Sequence, residues 1–553
     1  MAGIEHERER AATGASVLYT ERILSARPLP TELTLTLGLD DPEDESALRA
    51  RAARQLRVPV RSLPPLELLK RSVDARHGRV RFRLLVRIGS TSGRSFGGEL
   101  PRVSGGCRRV AIVGAGPAGL FCAYQLARRG IGSTVLERGR PVGERVSDIV
   151  ALARGFLDPD SNYCFGEGGA GTYSDGKLYT RSHEHGRIRD VLELLVLHGA
   201  APRILTDARP HIGSDRLPGV VSAMRERLEA AGVEFRFQAK LVELVTEHRA
   251  GLPSVRGVRL ADGSELAVPR VVLATGHSAR DVYGLLARQG VGLTSKPFAV
   301  GVRIEHPQAL IDEIQYGSAA GHPRLSAAAY RVATRVDGRG VYSFCMCPGG
   351  FVVPAATEPD GLVTNGMSLA ARDSPFANSG IVVSVELADL VEASGEAPPA
   401  GLELQRRLEQ LAFSAGGGAF RAPATRLTDF VRGRASTTLP ANSYGPGLVA
   451  TDVGEVLDAG RPGLAVRIRQ AMREFDARLR GYLTEEAVVI GAETRTSSPV
   501  RVIRDSATLQ SPNVAGLYPC GEGAGHAGGI MSSAVDGMRV AERIVEEVAA
   551  VTE

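Results

Sequence analysis

The pattern of apolar and polar positions just after residue 108 predicts a strand, a turn and a helix. The apolar run at 110–113 predicts a short buried strand, and the stretch at 120–129 repeats apolar positions with the period of an amphipathic helix. A glycine-rich turn separates them, and a second apolar run at 133–136 predicts the next strand. This order predicts a βαβ unit with parallel strands.

The glycine-rich turn has the spacing G-x-G-x-x-G in the strand–turn–helix context that gives the motif its meaning. Gly114 allows the tight turn, Gly116 lets the backbone approach a pyrophosphate, and Gly119 lets the helix pack closely on the strand. Pro117 and Ala118 lie in this turn, just before the predicted helix, whose free N–H groups and positive dipole end attract anions. The turn predicts a dinucleotide site, with a glycine turn in an ordinary βαβ unit as the alternative.

An acidic residue ends the next predicted strand. Glu137 stands where a carboxylate accepts hydrogen bonds from the ribose hydroxyls of a dinucleotide, and Arg138 follows it directly. A carboxylate at this position favours an adenosine ribose that carries no phosphate. We therefore predict that Glu137 and Arg138 contact the nucleotide.

Two later apolar runs, at 269–276 and 516–523, also predict short strands that end in glycine turns, and a helix is predicted over 531–549. The order of a dinucleotide turn, a central A-T-G strand and a late G-E resembles the flavoproteins related to glutathione reductase. The resemblance implies that the dinucleotide is FAD. The FAD contacts that it implies in these segments are Thr275, Gly276, Gly521, Glu522, Gly528, Gly529 and Ile530.

A more specific resemblance rests on five segments between and around these strands. The segments are 165–178, 274–281, 344–350, 364–368 and 521–525. Together they resemble the family of uncharacterised FAD-dependent dehydrogenases, and the likeness runs from about residue 18 to the C-terminus. It implies an α/β protein: a Rossmann-like FAD-binding domain with an inserted α+β substrate domain and a small N-terminal α/β domain. It also implies that Gly169 and Gly171 lie against the cofactor.

The predicted domain division follows these elements along the chain. Residues 1–105 form the N-terminal domain with its linker, and 106–294 form the first part of the FAD-binding domain. The inserted substrate domain covers 295–491, and 492–553 complete the FAD-binding domain. A connection rich in glycine, serine and proline at 96–106 marks the first boundary. Elements distant in sequence are therefore expected to complete one cofactor site.

Composition adds an expected location. Hydrophobic residues make up 43% of the 553 residues, enough for several buried cores. Six scattered cysteines do not indicate a disulfide framework, and the polar stretch at 1–15 lacks the apolar segment of a signal peptide. No apolar run reaches the roughly 18 residues of a membrane span. We expect a cytoplasmic protein without a membrane partner.

The charge pattern does not favour a nucleic-acid partner. The 67 basic and 62 acidic residues are interspersed, and the net charge is only +5. Arg79, Arg81 and Arg83 share one face of a predicted strand. A solvated face is the simpler interpretation, and contact with RNA or an acidic partner is the alternative.

Polar residues within the glycine-rich segments are the candidate catalytic groups. We predict that His526, in the turn before the last helix, transfers a proton to or from the substrate, and a neutral structural histidine is the alternative. Lys177 and His277, together with Asp175, lie in backbone that the glycines suggest is held against a ligand. A simple turn explains Asp175 equally well, and a helix cap explains His277. In related flavoproteins the last helix begins at the flavin pyrimidine ring, where its dipole favours negative charge.

Cys345 and Cys347 invite a metal or redox interpretation. Two thiols spaced C-x-C cannot complete a four-ligand zinc site, and no nearby His or Cys pair supplies the rest, so no metal site is predicted. Two packed cysteines on one strand, or a peroxide-sensitive or substrate-linked thiol pair, stay open. Arg303 and Asn378 in the inserted domain are candidates for substrate contacts.

The predicted function is that of an FAD-dependent oxidoreductase, a dehydrogenase that moves hydride from a small organic substrate to flavin N5. A separate electron acceptor, such as oxygen, a quinone or NAD(P), would reoxidise the flavin. The alternatives are an FAD-dependent monooxygenase and a reductase for which NAD(P)H is a transient reductant. The sequence has neither a second dinucleotide fingerprint nor a C-x-x-C pair, which counts against a disulfide reductase. A flavin-containing module that docks RNA or protein is the alternative of another class.

Overall fold

The computed structural model describes residues 29–89, 98–103, 108–180, 184–249, 251–394 and 400–552. The polar stretch at 1–15 and parts of the connection at 96–106 lie outside these described residues. Within the described ranges, no helix is both long enough and apolar enough to cross a membrane.

The strands and helices are numbered in chain order. The strands are β1 (Glu32–Leu37), β2 (Leu66–Asp74), β3 (Arg81–Ile88), β4 (Arg108–Val113), β5 (Gly132–Leu136), β6 (Glu234–Arg236), β7 (Leu241–Arg249), β8 (Leu252–Leu260), β9 (Glu265–Ala267), β10 (Val271–Leu273), β11 (Leu293–Ser295), β12 (Phe298–Pro307), β13 (Ala333–Val336), β14 (Arg339–Cys347), β15 (Gly350–Pro354), β16 (Thr364–Ser368), β17 (Phe376–Val385), β18 (Ala422–Arg426), β19 (Leu448–Ala450), β20 (Val488–Glu493), β21 (Val500–Val502) and β22 (Leu517–Pro519). The helices are α1 (Glu45–Leu56), α2 (Pro117–Arg128), α3 (Val142–Ala153), α4 (His185–Leu197), α5 (Leu217–Ala230), α6 (Arg280–Arg288), α7 (Gln308–Tyr316), α8 (Leu387–Ser394), α9 (Ala400–Ala415), α10 (Leu427–Arg432), α11 (Val453–Gly460), α12 (Leu464–Arg478) and α13 (Ile530–Thr552).

A five-stranded parallel sheet in the order β22-β10-β4-β5-β6 carries the glycine turn. Along β4, Val110 and Ile112 pack with α2, α5 and α13, while Ala111 and Val113 face the core shared with β7, β8 and α6. Both faces are therefore covered, as a parallel sheet requires. The last strand, β22, pairs with β10, so the chain returns to this sheet near its end. The predicted Rossmann-like fold is confirmed.

Helices α2 and α13 cross closely because a glycine lies between them. A Cβ atom on Gly537 would lie 2.1 Å from the main-chain oxygen of Ala118, which leaves no room for a side chain. Gly537 thereby holds the start of α2 and the first half of α13 together. This contact positions two helix N-termini at the same edge of the sheet.

A seven-stranded sheet in the order β13-β14-β17-β12-β20-β18-β19 forms the second core. Its pairs are antiparallel except for β18 with β19. Residues on β12 and β17 pack against α12 on one face, and residues on β20 pack with β15 on the other. The mixture of a largely antiparallel sheet and helices confirms the predicted α+β class of this part. The exact domain bounds stay a prediction, and β20 continues to Glu493, two residues beyond the predicted boundary at 491.

The N-terminal part is a three-stranded antiparallel sheet, β1-β3-β2, with α1 packed on it. The short helical turn at Arg76–Gly78 joins β2 to β3, which pair antiparallel as a hairpin. Phe82 and Leu84 on β3 point into the small core, whereas Arg81 and Arg83, which alternate with them along the strand, are exposed. The arginine face of this strand is solvated.

Arg324 fastens the N-terminal sheet to the rest of the protein. Its guanidinium donates to the main-chain oxygens of Leu39 at 2.5 Å and Asp41 at 2.6 Å and pairs with the carboxylate of Glu43. The same guanidinium lies 5.0 Å from the centre of the Phe82 ring. The main chain of Arg71 on β2 also exchanges hydrogen bonds with Thr206 and Ala208, at 2.7 and 2.9 Å. The N-terminal sheet is therefore held to the remaining structure at two places, while its small core is formed mainly by its own residues.

We predict that a chain beginning at Arg108 folds and retains FAD, because the parallel sheet and its glycine turn form without β1 to β3. The flavin-to-protein ratio of the purified truncation measures this outcome, with the full-length chain as control. Arg324→Ala in the full chain is the milder version, and it should loosen the N-terminal sheet while leaving the flavin ratio unchanged. Insoluble or flavin-free truncated protein would show that the sheet is part of the folding core.

Candidate functional site

The turn at 114–119 is shaped by direct contact between backbone segments. Gly114 has a φ of 107°, and a Cβ there would lie 2.4 Å from the main-chain oxygen of Ala274 at the end of β10. A Cβ on Gly119 would lie 1.9 Å from the main-chain oxygen of Gly114. Both distances are far shorter than a van der Waals contact, so packing within the protein requires glycine at these two positions.

Gly116 differs from these two glycines because the protein leaves space beside it. It caps the N-terminus of α2 with an extended conformation and no side-chain cap, and a Cβ added to it would have the Cα of Gly169, at 3.8 Å, as its nearest neighbour. Packing therefore does not require glycine at 116. A helix N-terminus with open space at its capping glycine fits an anionic pyrophosphate, which takes the free N–H groups as donors.

A second glycine-rich segment, residues 166–177, lies against the start of α2 and is called here the second glycine loop. The Gly168 amide donates to the main-chain oxygen of Ala115 at 2.9 Å, and the short turn at Gly169–Gly171 follows. A Cβ on Gly171 would lie 3.1 Å from Ile530 Cγ1 and 3.5 Å from Pro117 Cγ. The loop thus joins the start of α2 to the start of α13. Five predicted cofactor residues meet here: Gly116, Pro117, Gly169, Gly171 and Ile530.

Glu137 is buried at the end of β5, with both carboxylate oxygens bound to backbone. One oxygen accepts from the Ala115 amide at 2.9 Å, and the other accepts from Gly139 at 3.0 Å and Gly166 at 2.9 Å. A carboxylate offers about four acceptor positions, so three of them are used by the protein. Glu137 ties the dinucleotide turn to the second glycine loop, and its contact with a ribose stays a prediction.

Arg138 lies at the rim of the same strand end. Its guanidinium donates to Asp281 on α6 at 2.7 Å and lies 4.5 Å from the centre of the Phe165 ring. These contacts fix the side chain between β5 and α6. A role in binding the nucleotide stays a prediction.

His277 and Glu522 form a pair that joins the ends of β10 and β22. His277 Nδ1 lies 3.3 Å from Glu522 Oε1, and the Gly529 amide donates to Glu522 Oε2 at 2.9 Å. Burial opposes ionisation of Glu522, but His277 and the Gly529 amide outweigh it and hold the pKa of this carboxyl below its usual value. The predicted cofactor residue Glu522 therefore orients a predicted catalytic residue.

The backbone around this pair is as tightly packed as the first turn. A Cβ on Gly523 would lie 2.5 Å from the main-chain oxygen of Gly276, and one on Gly521 would lie 2.8 Å from Ala118 Cβ. Thr275 connects Gly276 to the end of β10. The structure thus brings Thr275, Gly276 and Gly521 to the same sheet edge as the dinucleotide turn.

Gly528 and Gly529 precede α13 and are exposed, and a Cβ added to either would have no atom within 4 Å. Their amides already have acceptors: Gly528 donates to Ser532 Oγ at 2.9 Å and Gly529 donates to Glu522. Space for a ligand exists here, as at Gly116. The orientation of these amides toward a flavin ring stays a prediction.

His526 faces the two-stranded sheet β11-β21. Its Nε2 lies 3.0 Å from the main-chain oxygen of Val502. Burial and the positive charge of Arg504 lower its pKa to about 4, against the opposing effect of the Val502 contact. The ring is therefore neutral at pH 7 and bound to backbone. This geometry favours the structural role for His526, and proton transfer by it stays a prediction.

A polar cluster lies where the second glycine loop reaches the seven-stranded sheet. Lys177 Nζ lies 3.7 Å from Cys345 Sγ and 3.4 Å from Cys347 Sγ on β14, and 3.6 Å from the buried Asp175. Residues 166–177 thus contact the dinucleotide turn near their first residues and the two thiols through Lys177 at their end. The structure brings together two pairs of residues that the sequence selected separately, Asp175 with Lys177 and Cys345 with Cys347.

Arg303 and Asn378 lie at the same place, fully buried. Arg303 makes two hydrogen bonds of 2.6 Å to Glu493 on β20 and one of 2.7 Å to the side-chain oxygen of Asn378 on β17. Glu493 and Arg372, which binds Asp175, belong to this cluster but carry no recognisable motif in the sequence. An isolated charged residue in an apolar strand was the only signal that Glu493 offered.

Three family models match parts of the chain. The model for "FAD-dependent protein, C-terminal domain-like" matches residues 297–496, and the model for "FAD dependent oxidoreductase" matches 109–159. A domain of unknown function, DUF8436, matches 29–89. An uncharacterised protein of Clostridium beijerinckii is 42% identical over 538 residues, which cover 93% of this chain and 98% of the relative.

The chain belongs to the same family as this relative, and two of the matching models are those of FAD-dependent proteins. It is an FAD-dependent oxidoreductase, as its sequence predicted. The stretch at 109–159 holds the dinucleotide turn and Glu137, and the stretch at 297–496 holds the seven-stranded sheet with Cys345 and Cys347. The cofactor prediction is confirmed for FAD.

Solved flavoenzyme structures show distant likeness to this oxidoreductase. Tetracycline destructase Tet(51) has a TM-score of 0.33 at 11% identity, with 80% of this chain and 82% of that chain covered. The flavin-dependent brominase Bmp2 has a TM-score of 0.34 at 11% identity, with 80% and 79% covered. The tetrameric form of 2-methyl-3-hydroxypyridine-5-carboxylic acid oxygenase has a TM-score of 0.31 at 13% identity, with 80% and 83% covered.

Substitutions at two glycines of the turn should separate cofactor binding from folding. We predict that Gly116→Val folds but purifies without flavin, because its side chain would enter the open space at the helix N-terminus. Gly119→Ala should lower the melting temperature strongly, since its Cβ would overlap the oxygen of Gly114. Flavin absorbance and thermal unfolding measure the two effects. Full flavin occupancy in folded Gly116→Val would contradict the assignment of the pyrophosphate to this turn.

The lowered pKa of His526 predicts a pH dependence of stability. Between pH 6.5, its ordinary pKa, and about 4, the unfolded chain binds a proton that folded His526 does not, so stability should fall as the pH drops through this window. His526→Gln should reduce proton uptake on unfolding by about one proton there. Denaturant unfolding at several pH values between 4 and 7 gives the slope. An unchanged slope would show that His526 is already solvated in the folded protein.

Proposed function

We propose that this oxidoreductase is a dehydrogenase that oxidises a small organic substrate by hydride transfer to FAD. One observation carries the proposal: the start of α13 is flanked by the His277–Glu522 pair on one side and by the second glycine loop on the other. FAD bound at this edge would supply the hydride acceptor. The proton lost by the substrate then needs an acceptor from the protein.

His277 is the residue best placed to accept that proton. Glu522 holds Nδ1, so the other ring nitrogen remains available as a general base. A carboxylate that orients an imidazole also stabilises the charge that forms when the ring takes a proton. His526 lacks such a partner, because its contact is the main-chain oxygen of Val502. The geometry therefore favours His277 over His526 for proton transfer.

The single dinucleotide fingerprint supports a dehydrogenase over a reductase. The spacing G-x-G-x-x-G occurs at 114–119, 166–171 and 523–528, but only the turn at 114–119 opens a βαβ unit whose second strand ends in an acidic residue, Glu137. A reductase would therefore have to bind NAD(P)H without a second motif of this complete kind. The electron acceptor is proposed to be a separate molecule, either oxygen, a quinone or NAD(P).

The decisive experiment is anaerobic mixing of the flavin-loaded chain with a panel of small alcohols, amines and acids. We predict that one class bleaches the oxidised flavin without NAD(P)H. Bleaching by NAD(P)H alone would identify a reductase. A substrate that supports oxygen consumption only in the presence of NAD(P)H would identify a monooxygenase.

His277→Gln should keep FAD and slow this bleaching by about 10²-fold or more, the usual scale for loss of a positioned base. Stopped-flow absorbance with the bleaching substrate measures the rate. His248→Gln is the matched control, because His248 is exposed on β7. Equal rates in wild type and His277→Gln would remove His277 from the mechanism.

A further inference from the structure

The polar cluster on β14 holds two thiols against one ammonium group. Lys177 Nζ is within 3.7 Å of Cys345 Sγ and within 3.4 Å of Cys347 Sγ. Neither hydride transfer nor FAD binding, as described above, uses these sulfurs. Their arrangement is independent of the proposed dehydrogenase activity and needs its own explanation.

The backbone of β14 is distorted at this place. Cys345 has a φ of 46°, a left-handed conformation that is unusual for a residue other than glycine. The pairing of β14 with β17 shifts register between Phe344 and Cys347, which marks a bulge. Such strained positions persist where the surrounding structure holds them, and they concentrate at functional sites. Here the bulge brings both sulfurs to the same ammonium group.

The charged groups around the two sulfurs favour ionisation of one thiol. Arg303 is paired with Glu493 through two hydrogen bonds, and Arg372 is paired with Asp175 in the same manner. The third cation, Lys177, reaches only the Asp175 oxygen that Arg372 already holds at 2.6 Å. Buried charges require partners. With Glu493 ionised, a thiolate beside Lys177 balances three positive charges against three negative ones. Burial, together with the Cys345 charge, raises the pKa of Glu493 to about 7 against the effect of Arg303, so the cluster needs the thiolate even more where Glu493 is protonated.

The position of the proton follows from the same contacts. The hydrogen bond from Cys347 lowers the pKa of Cys345 well below its usual value, and Lys177 and Arg303 add to this effect against the cost of burial. The same hydrogen bond and burial raise the pKa of Cys347. His211, beside Asp175 and Arg372, is neutral because burial lowers its pKa to about 4. The Cys347 thiol also has an acceptor for its proton in the main-chain oxygen of Cys345, 3.3 Å from the Cys347 sulfur, and Cys345 is the more accessible of the two. The thiolate is therefore assigned to Cys345 and the thiol to Cys347.

Two other cysteines of this chain provide an internal contrast. Burial raises the pKa of Cys122 and of Cys520, and nearby Asp536 raises both further. Both side chains are fully buried. These thiols are expected to be inert, whereas Cys345 is partly accessible and stands beside Lys177, which is 18% exposed.

We propose that Cys345 and Cys347 form a peroxide-reactive thiol pair, in which Cys345 is the nucleophile, Cys347 the second thiol, and Lys177 the residue that positions both. A small hydroperoxide is the substrate class, because Cys347 is fully buried and Cys345 only partly accessible. A partner of protein size would not reach the sulfurs.

The reaction proceeds in two balanced steps. The Cys345 thiolate attacks one oxygen of the hydroperoxide, a sulfur–oxygen bond forms, the oxygen–oxygen bond breaks, and the departing alkoxide takes a proton from solvent to leave as an alcohol, or as water from hydrogen peroxide. The Cys347 sulfur then attacks the sulfenic acid, forming the disulfide, while the hydroxyl leaves as water with the Cys347 proton. The two sulfurs lose two electrons and the peroxide gains them.

The first test measures the thiolate without using enzyme activity. Full-length, flavin-loaded protein is treated with iodoacetamide between pH 5.5 and 8.5, and each cysteine is quantified by peptide mass spectrometry. We expect Cys345 to react at pH 6.5 at least tenfold faster than Cys122 and Cys520, with a rate that changes little above neutral pH. Equal or slower reaction of Cys345 would overturn the proposal.

Lys177 variants test the positioning role. Lys177→Met should slow alkylation of Cys345 at pH 6.5 by about tenfold or more, the factor that corresponds to one unit of pKa, and should move its pH profile upward. Lys177→Arg should restore most of the rate. Lys240→Met is the matched control, because Lys240 pairs with Asp160 away from the thiols. Equal rates in Lys177→Met and wild type would overturn the role of Lys177.

The second test uses hydrogen peroxide as the probe. Wild-type protein should lose two alkylatable thiols at Cys345 and Cys347 together and gain a peptide lighter by two hydrogens, and a phosphine reductant should reverse this. Cys347→Ser should stop at a sulfenic acid on Cys345 that a dimedone reagent traps, and Cys345→Ser should give no trapped Cys347. The absence of both the disulfide and the trapped sulfenic acid would overturn the proposal, whether or not a dehydrogenase substrate is found.

Discussion

Direct contact between backbone segments at the glycine turns is the constraint on which the rest of this structure depends. Each of three glycines packs directly against a main-chain oxygen: Gly119 against that of Gly114, Gly114 against that of Ala274, and Gly523 against that of Gly276. These contacts bring the ends of β4, β10 and β22 to one edge, together with the N-termini of α2 and α13. A single added methyl group would separate them, because interiors have no spare volume. The strand ends and helix starts meet at this edge because glycine leaves no side chain between the backbone segments.

The second glycine loop carries this constraint across to the seven-stranded sheet. Its start is held on the dinucleotide turn by the Gly168 amide and by Glu137, and its end presents Lys177 to the thiols of β14. Buried charges at this end are paired because an unpaired charge in the interior is costly. Arg303 with Glu493 and Arg372 with Asp175 satisfy that requirement. The two cores are therefore connected by the backbone of this loop and by the pair of Asp175 with Arg372.

Local patterns predicted the elements well where the signal is contained within a few residues. The strand, glycine turn and helix at 110–129 and the long final helix appear with bounds close to those expected. The pairing of His277 with Glu522 was not predictable, although both residues were selected, because each stands in its own glycine turn far apart in sequence. Glu493 and Arg372 were missed, since a lone charged residue has no motif and acquires its meaning only from its partner.

The sequence by itself determined the α/β fold class, the FAD cofactor and the family, because these depend on hydrophobic periodicity and on glycine spacing along short stretches of chain. Only the tertiary structure decided which polar residues act together. It bound His526 to a backbone oxygen, gave His277 a carboxylate partner and placed two thiols on Lys177. The reason is that hydrogen bonds and charge pairs act over about 3–4 Å in space, and residues so close together here come from strands and loops that the sequence leaves far apart.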